Sequence, residues 1–185
     1  EIFFKPGEKF FYNNDMFTIV GIIIEKVMAK PFSSVMNEEI FNPLEMNRTT
    51  LLKEELDNDS QNNHIKGYIH KEENDKGIFE SPPLPFTKQL QAPGGIYTSM
   101  HEMMNYIECL LNYGSFKGKQ LFLPETLKIL WKPRIQSPYG FGKDPKYCLG
   151  WVKDDDYFDE TLYSHGGGLG VSTSFLGIIP DSKLG

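Results

Sequence analysis

The chain has 185 residues, of which 39% are hydrophobic and 24% charged, a composition that suits a packed globular domain and excludes a disordered one. Its 25 acidic residues outnumber 19 basic ones, for a net charge of −6. Nucleic acid and anionic membrane surfaces reward clustered Lys and Arg, so neither is expected as a partner.

The longest apolar stretch, Met16 to Met28, is broken by Thr18, Gly21, Glu25 and Lys26. It falls short of the roughly 20 apolar residues a spanning helix needs, so no membrane segment is expected. Cys109 and Cys148 make neither a disulfide scaffold nor a zinc motif.

In chain order, the first predicted element is a helix over 15–30, capped by Asn14 or Asp15 and ended by Pro31. Apolar residues lie almost all round it, a pattern that predicts burial on several sides. A short helix follows over 32–41 and stops at Asn42-Pro43. Residues 53–63 and 71–89 read as solvated loops, the second stiffened by Pro82, Pro83 and Pro85. After Gly94-Gly95, Ser99 caps a further helix with Glu102 three residues on, as in a capping box, and Gly114 ends it. Residues 124–131 form another helix, with Pro at its first turn. The character then changes. Residues 147–152, 161–164 and 171–179 are short aromatic or β-branched runs separated by turns, which predict three antiparallel strands.

Several motifs fail on inspection. His101-Glu102-Met103-Met104-Asn105 lacks the second histidine of a zincin, and a capping or surface role suits it better. His64 and His70 stand at a spacing that suits no tight metal site. Gly166 to Gly170 fits neither a dinucleotide nor a phosphate loop, and no nucleophile elbow exists.

Two segments survive. In the first, Tyr12 and Asn14 stand two residues apart just before a helix and can point side by side into a cleft; alone, an aromatic core cluster with a capping Asn explains them better. In the second, His165-Gly166-Gly167-Gly168 ends a strand, where missing side chains let a ligand lie on the backbone. A glycine-rich turn explains that segment about as well.

Together the segments resemble the penicillin-binding-protein-like serine hydrolases: class C β-lactamases, D-alanyl-D-alanine carboxypeptidases and related esterases. Residues 4–14 (FKPGEKFFYNN) are similar to the family's "PG…YSN" box, with Asn13 for the usual Ser. Residues 40–49 are similar to "PLGM..T", with Glu45 replacing Gly, and residues 92–99 to "AGGL.ST". Leu149-Gly150-Trp151 resembles the "GYGW" strand, and His165-Gly166-Gly167 the "HxG" form of the KTG box. Each box is common by chance; five in order are not.

The resemblance implies an α+β fold, a helical region over 1–145 followed by antiparallel strands over 146–185. It implies an acyl-serine mechanism without metal or cofactor, acting on a small-molecule or peptide substrate. Tyr12 would help shuttle the nucleophile's proton and Asn14 would donate to a substrate amide. His165 would face Tyr12 across the cleft. Gly166, Gly167 and Gly168 would line the substrate, the Gly168 N–H forming half of an oxyanion hole. The departure is the nucleophile. No Ser has a Lys three residues on, and the nearest pattern, Thr50 to Lys53, follows the Tyr-Asn box where the family's nucleophile precedes it.

The chain is therefore expected to be an internal piece of a larger hydrolase, inactive alone, with the nucleophile segment and further strands outside it. A non-catalytic relative that binds peptide or peptidoglycan-like ligands is the alternative. An open edge on strand 171–179, or an uncovered helical face, is expected to make the chain self-associate.

Overall fold

A computed structural model describes residues 4–58, 63–71, 77–81 and 87–185. Helix α1 (Asn14–Met28) starts where the extended Asn13 accepts the Met16 N–H on its side chain at 3.2 Å. The cap therefore sits one residue before the expected Asn14 or Asp15, because only the residue still in extended conformation can turn its side chain back onto the first free amides. Ala29, left-handed at φ 51°, closes the helix ahead of Pro31.

The residue of α1 that is buried is Gly21. A Cβ there would lie 2.7 Å from the Ala92 Cβ, so the missing side chain lets α1 cross the short helix α4 (Gln91–Gly94) closely. The Thr18 hydroxyl ties the same crossing to the Gln89 carbonyl at 2.7 Å. Burial on several sides does not occur. Met16, Val20, Ile23 and Val27, a stripe at helical spacing, are exposed, Val27 by 76%. Helix α1 packs against α2 (Phe32–Met36), the turn Lys88–Leu90 and α4.

Helix α2 runs on as a π turn over Asn37–Phe41, and α3 (Lys53–Asp57) occupies the start of the stretch read as loop. Strand β1 (Tyr68–Lys71) ends where the second expected loop begins and pairs antiparallel with β2 (Gly77–Glu80), which lies inside it; Pro82, Pro83 and Pro85 lie outside the described residues. Helix α5 (Met100–Leu111) has the expected Ser99 cap, which accepts the Glu102 N–H at 3.3 Å. Glu102 itself is buried, where it accepts the Arg48 N–H at 2.8 Å and the Thr49 hydroxyl at 2.6 Å. It thereby locks residues 44–50 onto α5, and Asn105 adds a bond to the Leu44 carbonyl at 2.8 Å. The glutamate of the near-zincin pattern is a structural latch.

After the hairpin β3 (Ser115–Phe116) and β4 (Lys119–Gln120) and helix α6 (Pro124–Leu130), a five-stranded antiparallel meander begins. Its strands are β5 (Ile135–Gln136), β6 (Lys146–Tyr147), β7 (Val152–Tyr157), β8 (Glu160–Leu169) and β9 (Ser172–Ile178), adjacent in that order. The α+β class and antiparallel sheet match the expectation, but the sheet is wider than three strands. The run 147–152 is not a strand. Tyr147 ends β6 and Val152 opens β7, and residues 148–151 between them form a tight turn, with the Cys148 N–H on the Trp151 carbonyl at 2.7 Å and Gly150 at φ 74°. Strand β9 stands at the edge of this sheet. Beyond it the chain folds back, and Ile179 and Leu184 exchange backbone bonds of 2.8 and 3.2 Å.

Two hydrophobic clusters hold these parts together. Leu110, Leu111, Leu127, Trp131, Trp151 and Ile178 fill the space between α5, α6 and the sheet. Phe41, Leu44, Met46, Leu51, Cys109 and Phe116 fill the other side of α5. Consecutive residues 109 and 110 thus serve different cores, which fixes the rotation of α5.

Candidate active site

The aromatic segment before α1 reaches the sheet through rings. Phe10 lies 4.8 Å from Tyr147, tilted at 54°, and meets Tyr139 edge-on at 5.8 Å. Tyr12 meets Tyr139 edge-on at 6.0 Å and lies 6.1 Å from the His165 ring at 33°. Tyr12 is 42% exposed, so it stands at the surface rather than in a core. Asn13 takes the capping role, which leaves the exposed Asn14 carboxamide unused by the helix end.

His165 lies inside β8, not at a strand end. The strand continues through the three glycines, which pair with β9: Gly166 with Phe175, Gly167 with Ser174, Gly168 with Thr173. The glycines extend the strand because β9 is there to receive their backbone; the turn comes later, at Gly170, with φ 59°. Along β8, Leu162 and Ser164 are buried and alternate with Tyr163 and His165, so these last two share a face. Tyr163 stacks on Trp131 at 4.7 Å. A Cβ on Gly168 would meet nothing within 4 Å, and one on Gly166 nothing closer than 3.9 Å. The backbone there lies open. A Cβ on Gly167 would instead meet the Ser174 Oγ at 2.4 Å.

The imidazole of His165 is bonded at both nitrogens: Nδ1 lies 2.6 Å from the Gly166 carbonyl, and Nε2 lies 3.0 Å from the Tyr147 hydroxyl. Burial, then the nearby Tyr12 and Tyr139, push the Tyr147 phenol up to about 12. Ring contacts and one hydrogen bond thus gather Tyr12, Tyr139, Tyr147 and His165, with Asn14 at the adjoining helix start. Tyr139 and Tyr147 are not singled out by the sequence reading. Their signals are slight: Tyr139 precedes Gly140 in a proline turn, and Tyr147 stands just before Leu149-Gly150-Trp151. Among the described residues no three His, Cys, Asp or Glu side chains converge as a metal would need, and no helix is long and apolar enough to cross a membrane.

A meander with helices packed on it, a Tyr-x-Asn segment at a helix start and a His-Gly-Gly strand opposite define a β-lactamase-like serine hydrolase architecture. The chain belongs to the Beta-lactamase family, whose pattern it matches over residues 1–185. It is similar to the mitochondrial serine β-lactamase-like protein LACTB of Mus musculus, at 24% identity over 97% of this chain and 34% of that protein. It is also similar to an N-acetylmuramyl-L-alanine amidase of Bacillus subtilis, at 21% identity over 92% of this chain and 42% of the relative. It therefore spans well under half of these relatives. Among solved structures, an octameric penicillin-binding protein homologue from Pyrococcus abyssi superposes with a TM-score of 0.84 at 27% identity, over 97% of this chain and 38% of that one. A class C β-lactamase from Rhodobacter sphaeroides, at 13% identity, shares the fold with a TM-score of 0.68, over 94% of this chain and 52% of the other.

Proposed function

We propose that this chain is the Tyr-Asn and His-Gly-Gly portion of an acyl-serine hydrolase, whose nucleophile comes from a Ser-x-x-Lys segment that these 185 residues do not contain. The observation that carries the reading is the approach of Tyr12 to His165, 6.1 Å between rings, next to the open backbone of Gly166 and Gly168. In this reading Tyr12 takes the proton of the attacking serine and returns it to the leaving group. A phenol of ordinary pKa near ~10 does so only beside a cation, which the Ser-x-x-Lys lysine supplies. The Asn14 carboxamide donates to the substrate's amide or ester carbonyl side, while the substrate lies along Gly166, Gly167 and Gly168. The Gly168 N–H and the nucleophile's own N–H stabilise the tetrahedral oxyanion. Relatives named as an amidase and a D-stereospecific amidohydrolase support acyl compounds as the substrate class.

The test compares two proteins: these 185 residues, and the same residues joined to their Ser-x-x-Lys segment. Chromogenic β-lactam and p-nitrophenyl ester hydrolysis, with intact-mass detection of an acyl adduct, should appear only in the second. An adduct on the 185-residue chain would place the nucleophile within it. Ligand binding without turnover in both would favour a non-catalytic binder.

A further inference from the structure

The two contacts of the His165 imidazole are chemically unequal. A carbonyl oxygen can only accept, so the nitrogen 2.6 Å from the Gly166 carbonyl, Nδ1, must carry a hydrogen. In a neutral ring the remaining nitrogen, Nε2, then holds a lone pair, and its partner at 3.0 Å is a hydroxyl, which can donate. We propose that Tyr147 is a positioning residue that holds His165 as a neutral imidazole, protonated at Nδ1, by donating its hydroxyl hydrogen to Nε2.

The surroundings of Tyr147 suit that task. Phe10 covers its ring at 4.8 Å, and β6 places it one residue before the turn that leads into β7, a rigid site two strands from His165. Its phenol is pushed up to about 12 by burial and by the neighbouring tyrosines, so it keeps its proton through neutral and mildly alkaline pH. A second proton on His165 would aim an N–H at this hydroxyl and oblige it to find a new acceptor. The consequence for the cleft rests on the hydrolase reading. An imidazole spent in this way offers Tyr12 a neutral ring tilted at 33° and no cation, so activation of Tyr12 falls to the lysine of the Ser-x-x-Lys segment alone.

The tautomer can be read without turnover, so its outcome is independent of whether the protein is a hydrolase. Long-range ¹H–¹⁵N spectra of the ¹⁵N-histidine-labelled full chain near neutral pH, with His165 assigned by H165Q, should show a pyrrole-type Nδ1 and a pyridine-type Nε2. In Y147F Nδ1 should stay pyrrole-type on the Gly166 carbonyl, while the Nε2 shift moves downfield as it loses its donor and the cross-peaks of His64, His70 and His101 stay in place and certify the fold. A tyrosine hydroxyl proton coupled across the hydrogen bond to His165 Nε2 in the unsubstituted chain is the second expected signal, and it needs no variant. An Nε2–H or doubly protonated pattern, absence of that coupling, or an unmoved Nε2 shift in a folded Y147F would each overturn the proposal.

Discussion

Tyr12, in the segment before the first helix, and His165, in the fourth strand of the meander, place their rings 6.1 Å apart at 33°. Both rings also have a tyrosine neighbour, Tyr139 for one and Tyr147 for the other. The hydroxyl of Tyr12 is therefore separable from its ring. If the proposed function holds, Tyr12→Phe in these residues joined to a Ser-x-x-Lys segment should keep every ring contact and lower kcat/KM by roughly 10²–10⁴-fold, the usual span for a lost general acid–base. The melting temperature should stay within a few degrees. A variant with unchanged kcat/KM would remove Tyr12 from the proton path.

Gly21 sets two effects against one another. Ala in place of Gly inside a helix gains about 1 kcal/mol of propensity. Here the new Cβ would sit 2.7 Å from the Ala92 Cβ, and both residues lie in short-range packing between helices that must separate to make room. Overpacking of this kind costs typically ~1–3 kcal/mol, so Gly21→Ala should be net destabilising by about 1 kcal/mol. Gly21→Val should be worse. Urea unfolding midpoints of the two variants would check the order.

The sequence made some of this legible and not the rest, for reasons that particular residues show. The Ser99 cap, the Pro31 stop and the Tyr12 and His165 boxes are local signals, written in a few adjacent residues. The Asn13 cap was displaced by one position because Asn13, Asn14 and Asp15 are all competent caps, and only backbone conformation chooses among them. The strand through Gly166 to Gly168 was invisible because glycine disfavours strands locally, while pairing with β9 supplies what the residues lack. Tyr147 joined the site through a tertiary contact to His165 that no spacing encodes.

Three tyrosines, Tyr106, Tyr147 and Tyr163, are pushed up to about 12, each chiefly by burial. A group raised in the folded state binds its proton more tightly there than in the unfolded chain. Its stabilising contribution is complete below the unfolded value near ~10 and is lost as pH climbs toward 12. Stability should accordingly fall between about pH 10 and 12. Phenolate absorbance near 295 nm should rise in two stages, with the late stage coinciding with loss of the near-ultraviolet circular dichroism. Early, single-stage ionisation of all 9 tyrosines would contradict the burial assigned to these three.

The stripe Met16, Val20, Ile23 and Val27 leaves apolar surface on α1 facing water. Surfaces of this kind seldom stay solvated, and a second copy is available in any concentrated solution. Light scattering coupled to size-exclusion chromatography should show mass rising with concentration, and Ile23→Glu should shift the chain toward monomer. A monomer at every dilution would show that the stripe makes no contact in solution.

Asp154 offers the most local test of how the cleft wall is held. It is 1% exposed, and its Oδ1 accepts the N–H groups of Phe141 and Gly142 at 3.2 and 2.9 Å. These bonds pin the 137–145 loop against β7, and the loop carries Tyr139, the edge-on neighbour of both Phe10 and Tyr12. Gly140 and Gly142 are needed for the fit, since a Cβ on either would meet an aspartate oxygen at 2.7 or 2.0 Å. Asp154→Ala would leave two amide donors without their acceptor, at a cost of about 1–3 kcal/mol each where water cannot reach them. Asp154→Asn keeps one carbonyl oxygen in place for the two amides, loses the charge assistance and sets its NH2 where the buried Oδ2 has no hydrogen-bond partner, so the loop amides should be released less than in Asp154→Ala. Hydrogen exchange resolved at the amides of Phe141 and Gly142 should accelerate in the order native, Asn, Ala, while the amides of α5 remain protected. Uniform acceleration across the whole chain would mean that Asp154 supports the sheet generally. Acceleration confined to the loop would identify it as the anchor of the wall that carries Tyr139.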